Sequence, residues 1–268
     1  MKNLILTIVG LNVLMILSCE KVIEIPLDEA SQKIVVEGVF KDQPGNNYLL
    51  LSKTGSVYEE SNFEKIVGAS VTLIDESNNV YNLTEVVGTP GKYTHPTFQV
   101  QPNNFYTLHI IAGTDTLKST CETFETPSLD YLDYDEVIGT FGIGTDTTYL
   151  VFFSFSDLAT QQNYYRIKAW VNGADDDNYY VTNDDLFNGE NLIQPLFATT
   201  VEKGDTVFVE LQSMDKGNYT YLYGLSSGAG GGGPFAPTPA NPVTNIVGDG
   251  IGYFGTFTTD TMSIIMPQ

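Results

Sequence analysis

Cysteine and histidine are nearly missing from this chain, with two of each in 268 residues. Two cysteines cannot make a disulfide framework, and two histidines leave little material for nucleophilic or general-base chemistry. His95 sits before a proline in "YTHPTF" and His109 lies mid-run in "FYTLHIIA", neither beside a Ser or Cys nucleophile in a recognised motif. No H-E-x-x-H or C-x-x-C occurs. Carboxylate pairs are plentiful, but a chain this acidic supplies them by chance. The expectation is therefore that the protein is not an enzyme. Basic residues are also scarce: 12 Lys and Arg stand against 33 Asp and Glu, a net charge of −21. Phosphate would be repelled, which excludes nucleic acid as a partner and disfavours a bare anionic membrane surface. After residue 17 no apolar run approaches the length of a membrane-crossing helix.

The first eighteen residues differ from the rest. Lys2 precedes an apolar stretch from Leu4 to Leu17, too short to span a hydrocarbon core and placed like a secretory signal. It ends in Ile16-Leu17-Ser18-Cys19, which resembles the bacterial lipobox. That resemblance implies cleavage before Cys19, diacylglycerol on its thiol and acylation of the new amine. Each buried methylene contributes about 0.8 kcal/mol, so about three acyl chains would hold the protein far more firmly than the single chain that binds reversibly. Loss of Lys2 with the signal takes the net charge to −22. Residues 19–32, with Glu20, Glu24, Asp28 and Glu29 around a proline, read as an acidic tether, and such acids soon after the Cys resemble an export signal to the outer cell surface. Outer-membrane location, lipid-anchored and facing the cell exterior, follows as an expectation. Cys121 then has no partner in the chain and reads as a small packing residue.

From Lys33 the hydrophobic period is two. "KIVVEGVF", "NYLLLSK", "ASVTLID", "VYNLTEV", "FYTLHIIA" and "DTLKSTC" are short β-branched and aromatic runs bounded by Gly, Asn, Asp or Pro, the pattern of antiparallel strands. They predict an immunoglobulin-like or transthyretin-like sandwich over residues 33–125, with Tyr106, Leu108 and Ile110 turned to its core and a turn at Gly113-Thr114-Asp115. A boundary is expected in "ETFETPSLDYLDYDEVIG". Beyond it, residues 126–268 carry longer strands rich in Tyr and Phe and predict a second β-sandwich or a curled sheet. The fold class is thus mainly β, in two antiparallel sandwich-like domains. One short helix is expected near 215–227, with Asp215 as N-cap and Gly228 as stop.

Three features invite site assignments. "NGADDDNYYVTNDDLFNGEN" gathers Asp175, Asp176, Asp177, Asp184, Asp185 and Glu190, hard oxygen ligands suited to Ca2+, although the spacing is not that of an EF-hand and a solvated hairpin tip explains it as well. Asp-Thr pairs recur at Thr116, Thr147, Thr206 and Thr261. Each suits a hairpin corner, and each also resembles the O-glycosylation sequon of Bacteroidota. The Gly/Pro-rich stretch 228–242 lacks the following helix and the Lys of a phosphate loop, and reads as a long excursion able to contact a partner.

Over Cys19 to Met266, "KIVVEGVF", "QNYYRIKAWV", "TNDDLFNGE", "VFVELQSMDKGNYTYLYGL" and "NPVTNIVGDGIGYFG" are similar to a family of Bacteroidota outer-membrane lipoproteins, domain of unknown function 4249. Members are typically encoded beside TonB-dependent receptors. The resemblance implies an accessory or binding role with such a receptor. A structural or adhesive surface lipoprotein with no small-molecule ligand is the other reading open at this point.

Overall fold

The computed structural model describes residues 31–45, 47–55, 63–140, 143–176, 178, 180–196, 200–229 and 241–268. Cys19, the rest of the leader and tether up to residue 30, Asp177 and residues 230–240 of the Gly/Pro stretch lie outside the described residues.

The first half runs β1 (Ile34–Lys41), β2 (Tyr48–Lys53), β3 (Ser70–Asp75), β4 (Val80–Glu85), β5 (Lys92–Thr94), β6 (Asn104–Ala112) and β7 (Asp115–Thr123). The second half adds β8 (Leu129–Thr140), β9 (Ile143–Ser156), β10 (Tyr164–Val171), β11 (Ala174–Asp175), β12 (Tyr180–Asn183), β13 (Asn191–Pro195) and β14 (Thr206–Met214). Helix α1 (Lys216–Ala229) and β15 (Gly250–Ile265) complete it, and α1 is the one helix among the described residues. The protein is mainly β, with its sheets layered as sandwiches.

Twelve strands form one hydrogen-bonded sheet in the order β11-β10-β14-β15-β1-β2-β5-β4-β3-β6-β7, with β12 also on β10. Side chains of β1 and β2 (Val36, Phe40, Leu49, Leu51) share a buried cluster with those of β3, β6 and β7 (Leu73, Leu108, Leu117), so the sheet folds over on itself as a sandwich. Tyr106, Leu108 and Ile110 point into that cluster while Ile111 is half exposed, as the alternation predicts. The β6–β7 hairpin turns at Gly113, whose φ of +62° suits glycine. Opposite the other end, a three-stranded sheet β13-β9-β8 covers one face of β10 and β14, burying Val151, Phe153 and Phe155 against Ile167, Val209 and Leu211.

Several expectations are corrected. The acids that follow the expected boundary lie in a strand the sequence did not suggest, β8, where Leu129 and Leu132 are buried and Asp133 and Asp135 turn outward, a register shift between Leu129 and Tyr131 disguising the period. Strand β5 is too short to leave a pattern. Strand β15 is antiparallel to β14 but parallel to β1, so it joins the first strand of the chain to the last ones. Helix α1 starts where predicted, with Asp215 Oδ1 accepting from Asn218 N at 2.7 Å. Its end differs: Gly228 lies inside the helix rather than stopping it.

Candidate functional site

Alternation along three strands delivers polar side chains to one face. On β14, Val207, Val209 and Leu211 enter the core beneath, so Phe208, Glu210 and Gln212 stand on the opposite face. On β10, Ile167 and Ala169 likewise send Arg166, Lys168 and Trp170 the other way. The strand register sets Arg166 beside Gln212, Lys168 beside Glu210 and Trp170 beside Phe208. On β1, Val36 and Phe40 take the core, leaving Glu37, Val39 and Lys41 for this face. Helix α1 lies over it, with Leu222 buried against Val39, Tyr253 and Phe257. Full burial of Leu222 contributes about 2 kcal/mol towards holding the helix there.

Between helix and sheet is a cavity of about 450 Å³. Lys41, Arg166 and Gln212 give it a buried polar floor, Glu37 and Lys168 stand at its sides, and Tyr48, Trp170, Tyr221, Tyr253 and Leu225 form its walls. Arg166 is the only arginine and Trp170 the only tryptophan of the chain. Three of its 12 cationic side chains therefore meet here, in a protein that is otherwise strongly acidic.

The floor is held by hydrogen bonds. Lys41 Nζ donates to Glu210 Oε1 at 2.5 Å, and Gln212 Nε2 donates to the same oxygen. Gln212 Oε1 is buried and has no hydrogen-bond partner among the described residues. Tyr48 donates its hydroxyl to Glu37 Oε1 at 2.8 Å. Burial first, then the charge of Glu37, push the Tyr48 pKa well above the ordinary phenol value, so the hydroxyl keeps its proton and remains a donor; Arg166 acts in the opposite direction. Lys168 donates to Asp175 and lies over the Trp170 ring, 4.9 Å from its centroid. Tyr221 and Tyr253 rings are 5.1 Å apart and tilted.

The residues singled out by sequence fall elsewhere. Asp175 is held by Lys168, Asp185 accepts from Gln162 and Asn183, and Asp184 accepts from Asn163 N at 2.9 Å. Burial and the neighbouring Asp157 raise the Asp184 pKa. Asp176 caps its own turn through Asn178, and Glu190 N donates to Phe187 O at 2.7 Å. Among the described residues no three His, Cys, Asp or Glu side chains converge on a metal-sized site. Thr116 and Thr206 are exposed, Thr147 and Thr261 half buried. Cys121 is buried, accepting from Thr256 Oγ1 at 3.0 Å and Asn218 Nδ2 at 3.1 Å, and burial together with Asp215 holds its pKa high, which suits a packing role. His95 packs edge-on against Tyr81, ring centroids 5.6 Å apart. The cavity was missed in the sequence, although the alternation Arg166, Lys168, Trp170 in "YYRIKAWV" placed the lone Arg and lone Trp on one face and was a usable signal.

A structure of chicken CNTN1 FN1-FN3 domains is similar over 88% of this chain and 67% of that one, at 9% identity and a TM-score of 0.25. No curated protein matches. No helix among the described residues is long and apolar enough to cross a membrane. Residues 20–263, nearly the whole chain, match one family throughout, and the protein belongs to the family described as Domain of unknown function (DUF4249).

Proposed function

We propose that this protein is a lipid-anchored binding protein of the bacterial outer surface, attached through Cys19 and acting as an accessory to a TonB-dependent receptor rather than as an enzyme. The observation that carries the binding reading is the cavity beneath α1, where the chain's single Arg and single Trp meet Lys41 and Gln212 within aromatic walls. A purely structural or adhesive lipoprotein has no need of a concave space of about 450 Å³ lined by charged, amide and aromatic side chains, whereas a binding protein uses such a space to orient a ligand. The lipobox-like Ile16-Leu17-Ser18-Cys19 supports the anchor, and the net charge of −21 supports a body held off an anionic bilayer. The Gly/Pro stretch 228–242, which continues the chain beyond α1, is the segment proposed to meet the receptor.

Affinity purification of the tagged protein from outer membranes of its own host, after mild cross-linking, tests this reading. Recovery of a TonB-dependent barrel with the wild-type protein, and not with a soluble form lacking residues 1–19, is expected. Recovery of no barrel from membranes that contain the protein would overturn the accessory role.

A further inference from the structure

We propose that the cavity beneath α1 binds a small zwitterion, an α-amino carboxylate with an apolar side chain, its carboxylate on Arg166 and Lys41 and its ammonium facing Glu37. The inference rests on the binding reading and specifies its ligand class. Charges of both signs line one concave space: Arg166 and Lys41 on the floor, each nine-tenths buried or more, and Glu37 at the side. A guanidinium offers a planar fork of donors to a carboxylate, and Lys41 keeps further N–H donors after the one given to Glu210. Glu37 receives one hydrogen bond from Tyr48 and retains lone pairs for an ammonium. Gln212 adds to the floor a buried acceptor, Oε1, that has no partner among the described residues.

The walls decide the remainder. Tyr221 and Leu225 of α1 present apolar surface above the sheet, and Tyr253 stands on the sheet beside Glu37, so the ligand's uncharged end has a place out of water. A volume of about 450 Å³ holds one such molecule with bridging waters. A plain anion would meet Glu37 and a plain cation would meet Arg166 and Lys41, whereas a zwitterion presents each charge to its opposite.

Trp170 is the only indole in the protein, so its emission reports the cavity without background from another tryptophan. The full-length protein in detergent would be titrated with L-phenylalanine, L-leucine and L-methionine, and in parallel with 3-phenylpropionate, 2-phenylethylamine and maltotriose. Calorimetry would check each titration. At least one amino acid is expected to saturate the signal, with the two phenyl half-ligands at least tenfold weaker than L-phenylalanine. Arg166→Gln should weaken amino-acid binding by tenfold or more. Glu37→Gln, at a half-exposed position that should fold normally, should remove the preference for L-phenylalanine over 3-phenylpropionate. The proposal is overturned if none of the amino acids binds, if the half-ligands bind as well as L-phenylalanine, or if Glu37→Gln leaves the preference intact. Saturation by maltotriose alone would overturn the ligand class while leaving a binding protein, and loss of receptor recovery in the cross-linking experiment would leave this cavity chemistry untouched.

Discussion

Lys41 on β1 and Glu210 on β14 meet across the intervening strand β15, Nζ to Oε1 at 2.5 Å, with both side chains nearly shut off from water. The pair links a strand of the first sandwich to one of the second. Removing one partner of a buried pair leaves an uncompensated charge, at a cost of about 3–5 kcal/mol, whereas replacing both by apolar groups of similar volume is often neutral. Lys41→Met should therefore lower unfolding stability by about 3–5 kcal/mol. The double variant Lys41→Met, Glu210→Leu should recover most of that loss. Urea denaturation of the two variants against wild type measures this, and equal losses in both would show that the pair is not the source.

The parallel pairing of β15 with β1 requires a glycine opposite Val36. Gly252 sits at φ +106°, and a Cβ there would lie 1.9 Å from Val36 O, inside the backbone of the neighbouring strand. Gly252→Ala should cost about 3 kcal/mol or more, the clash adding to backbone strain. Gly113→Ala, at φ +62° with open space around it, should cost only about 1–2 kcal/mol. Thermal unfolding of the pair separates steric clash from conformational strain alone.

Glu85 supplies a pH-dependent contribution. Its carboxylate accepts from Gly91 N and Gly68 N, both at 2.9 Å, and these two hydrogen bonds hold its pKa below the usual glutamate range. A depressed folded-state pKa means that the stabilisation is fully present above the unfolded-state value of about 4.3 and is lost as pH falls through the lower folded-state value. Glu85→Gln should thus be less stable than wild type at pH 7, and the difference should shrink below pH 4. A gap that stays constant from pH 7 to pH 3 would contradict the assignment.

Much of the architecture was legible because period-two alternation is a direct imprint of a sheet with one buried face. Tyr106, Leu108 and Ile110 are the clearest case, and the Asp215 cap of α1 is another. Strand β8 was hidden because acids at Asp130, Asp133 and Asp135 dominate a segment whose few buried residues do not alternate cleanly. The parallel pairing of β15 with β1 was hidden for a different reason: register between strands more than 200 residues apart leaves no local trace. The site followed the same logic. Clustered acids such as Asp184 and Asp185 attract attention in a sequence, but the structure uses them to hold the turn around Asn163 and Gln162. Lys41, Arg166 and Gln212, isolated in sequence within apolar strands, come together only through strand order, and a lone charge inside an alternating strand was the hint available.

The proposed lipid anchor at Cys19 underlies the proposed outer-surface location and receptor partnership, and it is tested most directly by metabolic labelling with palmitate in the native host. Cys19→Ala should abolish the label and move the protein from the outer-membrane fraction to uncleaved inner-membrane or soluble material, because no other segment of the acidic body would hold it at a membrane. Cys121→Ala should keep both label and location, that thiol being buried among Thr256 and Asn218. Undiminished palmitate incorporation in the Cys19→Ala protein would contradict the account.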